Sequence, residues 1–144
     1  MCILDSVYNH YLLCITPFTN LIPFFIYIEN PDFQWIQYIV HRCILCLLIS
    51  SVLFWYNPVK YNWTHYLDKI IVVIFGILSV GYVLFCKNMH RILWFLYGGV
   101  LMFCLYFLYF SNYYSSLEWC SREHILYHLG FHFFANTSIW FVFI

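Results

Sequence analysis

The chain has 144 residues, of which 65% are hydrophobic, 25% aromatic and only 8% charged, with a mean hydropathy of +0.80. Soluble domains carry roughly 25% charge and about 45–50% apolar residues, so this composition excludes a water-soluble fold and makes lipid the solvent. The formal net charge is zero, which leaves no basic footprint for nucleic acid.

The sequence reads as an all-α, polytopic membrane bundle of about five transmembrane helices, a single domain over 1–144. A span needs roughly 20 mostly apolar residues. The first covers 8–28 and is kinked at Pro17 and Pro23; ENPD, 29–32, is a turn, and the second span covers 33–56. After the loop NPVKYNWTHY, the third runs over 67–86 and is opened by Asp68. KNMHR, 87–91, turns the chain into a fourth span at 92–112; the loop SNYYSSLEWCS leads to a last helix from about 121 to the end. No cleavable signal peptide is expected, because MCILDSVYNHY lacks a basic n-region and a small-residue cleavage site. Most of the seven cysteines fall in apolar runs, and Cys43 and Cys46, spaced CxxC, read as apolar filler rather than a redox pair.

Helix parity sets the sidedness. With five spans, the end of the second, the start of the third and the start of the last share one membrane face. Ser51, Trp55, His65, Asp68, His124 and His128 then gather there from three separated segments. Lysine and arginine are spread over both faces and do not orient the chain. Asn62-Trp63-Thr64 is a glycosylation sequon on the same face, which fits a lumenal side.

The stretch REHILYHLGFH, 122–132, holds three histidines four residues apart. Residues at i and i+4 lie on one helix face, about 6 Å apart along the axis. His124 and His128 can therefore share one ion, whereas His132 lies a turn deeper. Two such imidazoles are half of a zinc site, which needs a third protein ligand and an open position for water. The plainer reading makes the pair interfacial polar groups bonded to headgroups or backbone. Asp68 reads as a base for zinc water or a partner of a ligating histidine, or else as a carboxylate suited to a helix N-terminus and paired with Lys69. Ser51 reads as an oxyanion donor or ligand-orienting group, or else as a serine bonded to its own backbone.

Taken together, these stretches resemble the alkaline ceramidase branch of the CREST superfamily of membrane hydrolases. SVLFWYNP, 51–58, is similar to the end of that family's second helix, with Ser51, Phe54 and Pro58 matching. LDKIIVV, 67–73, looks like the segment that opens its third helix, HILYH, 124–128, like its HxxxH, and TNLIPFFI, 19–26, like a stretch of its first helix. The resemblance implies a reduced seven-helix bundle holding zinc through His124 and His128, with hydrolysis of a ceramide-like lipid amide. Asp68 would handle the proton and Ser51 assist the oxyanion.

Two departures stand against it. The family's helix-two histidine is Trp55 here, and indole does not ligate zinc, so the third ligand falls to His65 in the second loop, to His132 or to a non-protein group. Five spans replace seven, so a lipid-chain cavity survives only where a dimer supplies the missing wall. The alternative is a non-catalytic divergent membrane protein, a lipid- or partner-binding subunit with a degenerate metal site. Gly98-Gly99 in the fourth span would then allow close helix contact. A channel built on the histidine ladder is a third reading, but the chain lacks a charge ring or filter-like segment.

Overall fold

The computed structural model describes residues 8–26 and 35–143, with side chains from 11 onward. The described residues are helical throughout, apart from short connections. Three segments cover the start: α1 (Tyr8–Ile15), a 3-10 turn (Thr16–Asn20) and α2 (Leu21–Ile26). Four long helices follow: α3 (Trp35–Tyr56), α4 (Trp63–Phe85), α5 (Arg91–Leu117) and α6 (Arg122–Phe143). The ENPD turn lies outside the described residues.

Three helices, α3, α4 and α5, are long and apolar enough to cross a membrane. Their outer faces are apolar: Ile74, Ile77, Phe95, Met102 and Tyr109 are all more than half exposed. Such faces are compatible with a lipid surrounding. The first expected span is broken by the 3-10 turn. Pro17 sits in its first positions, where a missing N–H costs least. α6 has 22 residues and carries Arg122, Glu123, three histidines and Asn136 among its apolar positions.

α3 pairs with α4, and α5 packs chiefly against α6. α1 and the 3-10 turn wedge between α3 and α6. Hydrogen bonds hold that wedge: Asn20 Nδ2 donates to Asn136 Oδ1 at 2.9 Å, and Asn136 Nδ2 donates to the Thr16 carbonyl at 2.9 Å. Gly130 explains how α5 and α6 come so close. A Cβ there would run into the Phe107 ring, which only a glycine avoids.

The core divides along the bundle axis. A larger apolar cluster fills the end that contains Val40, Ile44, Val83, Tyr97 and Val142. Lys87 closes that end, with Nζ donating to the Val142 carbonyl at 2.9 Å. A smaller cluster of Leu13, Phe54, Trp55, Cys120 and Ile125 fills the other end, beneath the α3–α4 and α5–α6 connections. Cys120 is disulfide-bonded.

Two boundaries differ from the sequence expectation. α4 begins at Trp63 rather than 67, because Asn62 caps it: its side chain accepts the Trp63 N–H at 2.7 Å. His65 is therefore in the first turn of a helix, not in a loop, and Asp68 lies in the second turn rather than opening the helix. α5 continues to Leu117, five residues past the expected end. Ser115 and Ser116 extend it by bonding back to the carbonyls of Asn112 and Tyr113 at 2.8 and 2.7 Å.

Candidate functional site

The α3–α4 and α5–α6 connections meet at one end of the bundle. Lys60 Nζ donates to the Ser115 carbonyl at 2.7 Å, and Trp119 Nε1 donates to the Pro58 carbonyl at 3.2 Å. Between them lies a polar cavity of about 200 Å³. His65, Asp68, His124 and His128 all line it, together with Lys60 and Lys69. Ser51 is buried just behind, with Oγ donating to Asp68 Oδ1 at 2.7 Å. All five expected site residues are thus brought to one place.

Ser51 and Asp68 form one unit. Ser50 also donates to Asp68 Oδ1, at 3.1 Å. Two hydroxyl donors satisfy one carboxylate oxygen, which is how a 7% exposed carboxylate tolerates burial. Lys69 makes no ion pair with Asp68; adjacent helix positions point to different faces. Ser51 therefore holds a carboxylate in place rather than standing free as an oxyanion donor. Ser50 was not expected from the sequence, since serine next to serine carries no signal of which one reaches a neighbouring helix.

The histidines are fixed by a repeated local geometry. Tyr61 and Cys120 both adopt a left-handed backbone, each with φ of 64°. Asn62 and Ser121 follow as caps of α4 and α6. His65 and His124 then occupy the third helical position. There, each imidazole reaches back to a turn N–H: Tyr61 N donates to His65 Nδ1 at 3.2 Å, and Cys120 N donates to His124 Nδ1 at 3.1 Å. Ser121 Oγ completes its cap by accepting the His124 N–H at 3.2 Å. A glutamate or glutamine commonly fills this third position in a capping box. NWTH and SREH carry that spacing in the sequence, with histidine in place of the usual acid or amide.

Deeper in the ladder, His128 Nδ1 lies 2.8 Å from Ser111 Oγ, and His132 Nδ1 lies 2.9 Å from Thr16 Oγ1. Ring centroids are 5.7 Å apart for His124 and His128 and 4.9 Å for His128 and His132. His132 turns away from the polar cavity toward a second, apolar one. This cavity, about 130 Å³, is lined by Ser51, Gly76, Ser79, Cys104, His132 and Ala135 among others. Asn20 also lines it, and its Oδ1 is sealed without a partner.

The donor set fits zinc poorly. No group of three or more His, Cys, Asp or Glu side chains is placed to hold a metal ion among the described residues. A ligating histidine normally donates its remaining ring N–H to an acceptor. In His65 and His124 the remaining nitrogen, Nδ1, does the opposite and accepts from backbone N–H. A backbone N–H has no other role to play, so the neutral ring must carry its proton on Nε2. That nitrogen is then a donor, with no lone pair for a metal. Trp55, where the ceramidase-like pattern has a ligand, is 1% exposed and packs 4.8 Å from the His128 ring and 6.3 Å from the His124 ring. It fills the place beside both α6 histidines with an apolar surface. Of the three histidines that line the polar cavity, only His128, whose hydroxyl partner can donate or accept, keeps the option of a ligating Nε2.

No family model, no curated protein and no solved structure matches this chain.

Proposed function

We propose that the chain is a multi-pass membrane protein that seats a lipid, with the headgroup in the polar cavity and a hydrocarbon chain in the apolar cavity. It is a non-catalytic, divergent relative of ceramidase-like membrane hydrolases. One observation carries the reading: the two cavities abut at a single hydrogen-bonded pair, Ser51 on the apolar side and Asp68 on the polar side. An amphipathic ligand is the molecule that needs a polar and an apolar compartment joined end to end.

In this reading the bundle spans the bilayer five times, α6 and the broken α1–α2 segment joining α3, α4 and α5. A helix of 22 residues is roughly 33 Å long, enough for the hydrocarbon core. The cavity face lies in an oxidising compartment, because Cys120 in its α5–α6 connection is disulfide-bonded.

Gly76 tests the seat. It lines the apolar cavity and a Cβ there meets nothing within 4 Å, so Gly76→Phe fills the space without a backbone clash. Purified in mild detergent and examined by native mass spectrometry, the wild-type chain should carry bound lipid and Gly76→Phe should lose it at unchanged helix content. Equal lipid in both removes the reading.

Hydrolysis of a ceramide-like lipid amide with zinc is the second reading, favoured by Asp68, His128 and Ser51 standing together at the cavity. Its test is zinc per chain beside ceramide turnover, in wild type and in the double variant His124→Ala/His128→Ala. Near one zinc per chain, lost with turnover in the variant, would put it ahead.

A further inference from the structure

We propose that the polar cavity is an anion site for a phosphate group, built on the two capping histidines. The inference rests on the lipid-seat reading for its place in the membrane and names the chemistry of the headgroup.

The reasoning starts from the caps. His65 is 5% and His124 2% exposed, and both line the cavity. With Nδ1 occupied by a backbone N–H, each neutral ring carries its proton on Nε2. Neither Nε2 makes a hydrogen bond to a described residue. The only side-chain atoms both sealed and unpartnered among the described residues are Asn20 Oδ1 and Trp55 Nε1. Both Nε2 atoms therefore keep accessible surface, and in side chains this buried that surface belongs to the cavity. Two fixed N–H donors thus face a cavity and lack acceptors. A neutral imidazole held as a donor by its surroundings is an established way to bind oxygen with developing or full negative charge.

Charge points the same way. Lys60 and Lys69 line the cavity, and no carboxylate pairs with either among the described residues. The Lys60 ammonium donates to a carbonyl and lies 5.4 Å from the centroids of both the Tyr61 and Trp119 rings. Asp68 is the one carboxylate in the lining, and one of its oxygens is already taken by Ser50 and Ser51. Two ammonium groups against one carboxylate leave a single positive charge. A cation would meet two imidazole N–H donors and two ammonium groups. A phosphate meets four donors with oxygens to match.

The test uses the full chain in phosphatidylcholine nanodiscs with ¹⁵N-labelled histidine. Titrated with inorganic phosphate, the Nε2–H signals of His65 and His124 should move saturably. Adding phosphatidic acid to the nanodisc should weaken the phosphate response if the headgroup occupies the same site; a phosphate response that phosphatidic acid leaves alone makes free phosphate the ligand. His124→Gln keeps a cap acceptor and an N–H donor, whereas His124→Glu keeps the cap and loses the donor. Phosphate affinity should survive in the first and fall at least about tenfold in the second. The proposal is overturned if His65 and His124 carry their protons on Nδ1, if the Gln and Glu variants bind phosphate alike, or if the chain holds zinc that His124→Gln removes. Gly76→Phe separates the two readings. Lost lipid with intact phosphate binding leaves the anion site standing, and bound lipid without a phosphate response leaves only the seat.

Discussion

The α3–α4 and α5–α6 corners use the same device and secure it differently. Each has a left-handed residue, a cap and a histidine that reaches back to the turn. At the first corner the left-handed residue is Tyr61, 68% exposed. At the second it is Cys120, 3% exposed, disulfide-bonded and packed with Leu13, Phe54, Trp55 and Ile125. A non-glycine residue with positive φ costs free energy in either case. One corner offsets that cost with a covalent bond and a packed cluster; the other leaves its residue exposed and is joined to the first by the hydrogen bonds of Lys60 and Trp119. The α5–α6 corner is therefore the rigid wall of the cavity and the α3–α4 corner the adaptable one.

The largest effect should come from unpinning the rigid corner. Cys120→Ser should lower stability by about 2–5 kcal/mol, measured by thermal unfolding in detergent. A reductant should bring the wild-type chain down to the same level. If wild type and variant melt together without reductant, the two corners are not secured differently. Next comes Asp68, which ties α4 to α3 at the adaptable corner. Asp68→Ala strands the Ser51 hydroxyl in a buried setting and should cost about 1–3 kcal/mol. Asp68→Asn keeps an acceptor and should cost less; equal losses would show that the two serines do not depend on that oxygen.

The caps themselves rank third. His65→Ala and His124→Ala should each cost about 0.5–2 kcal/mol, and glutamine at either position should restore most of it by taking the same N–H. A glutamine variant that melts with the alanine variant would mean that the histidine ring acts through packing instead. The smallest effect is at Tyr61. Because its side chain is mostly exposed, Tyr61→Gly should relieve the left-handed backbone and leave stability unchanged or raised by up to about 1 kcal/mol. A clear loss there would make the adaptable corner depend on the tyrosine ring.

Some of this was legible from residue order. Apolar runs marked α3, α4 and α5, and helix parity predicted that Ser51, His65, Asp68, His124 and His128 share a face. The helix starts were less legible. Asn62 was read as a glycosylation sequon, although the same side chain caps α4 and draws His65 into a helix. Ser50, Ser111 and Lys60 gave no signal, because nothing local tells a serine or lysine which neighbouring helix it will meet. The broken first span was partly visible in Pro17 and Pro23. Its packing depends on Asn136, more than a hundred residues away.

The sequence by itself determined the helical class, because its apolar runs are of helix-spanning length, roughly 20 residues, rather than the nine to eleven of a barrel strand. It also pointed to which residues share one end of the bundle, because helices joined by short connections alternate in direction. Tertiary structure decided what those residues can do. A ring proton's position is set by the partner of the other nitrogen, and here that partner is a turn N–H that a left-handed residue aims at the ring. The same HxxxH that reads as half of a metal site in one dimension has, at His124, one ring nitrogen already taken by a turn N–H in three.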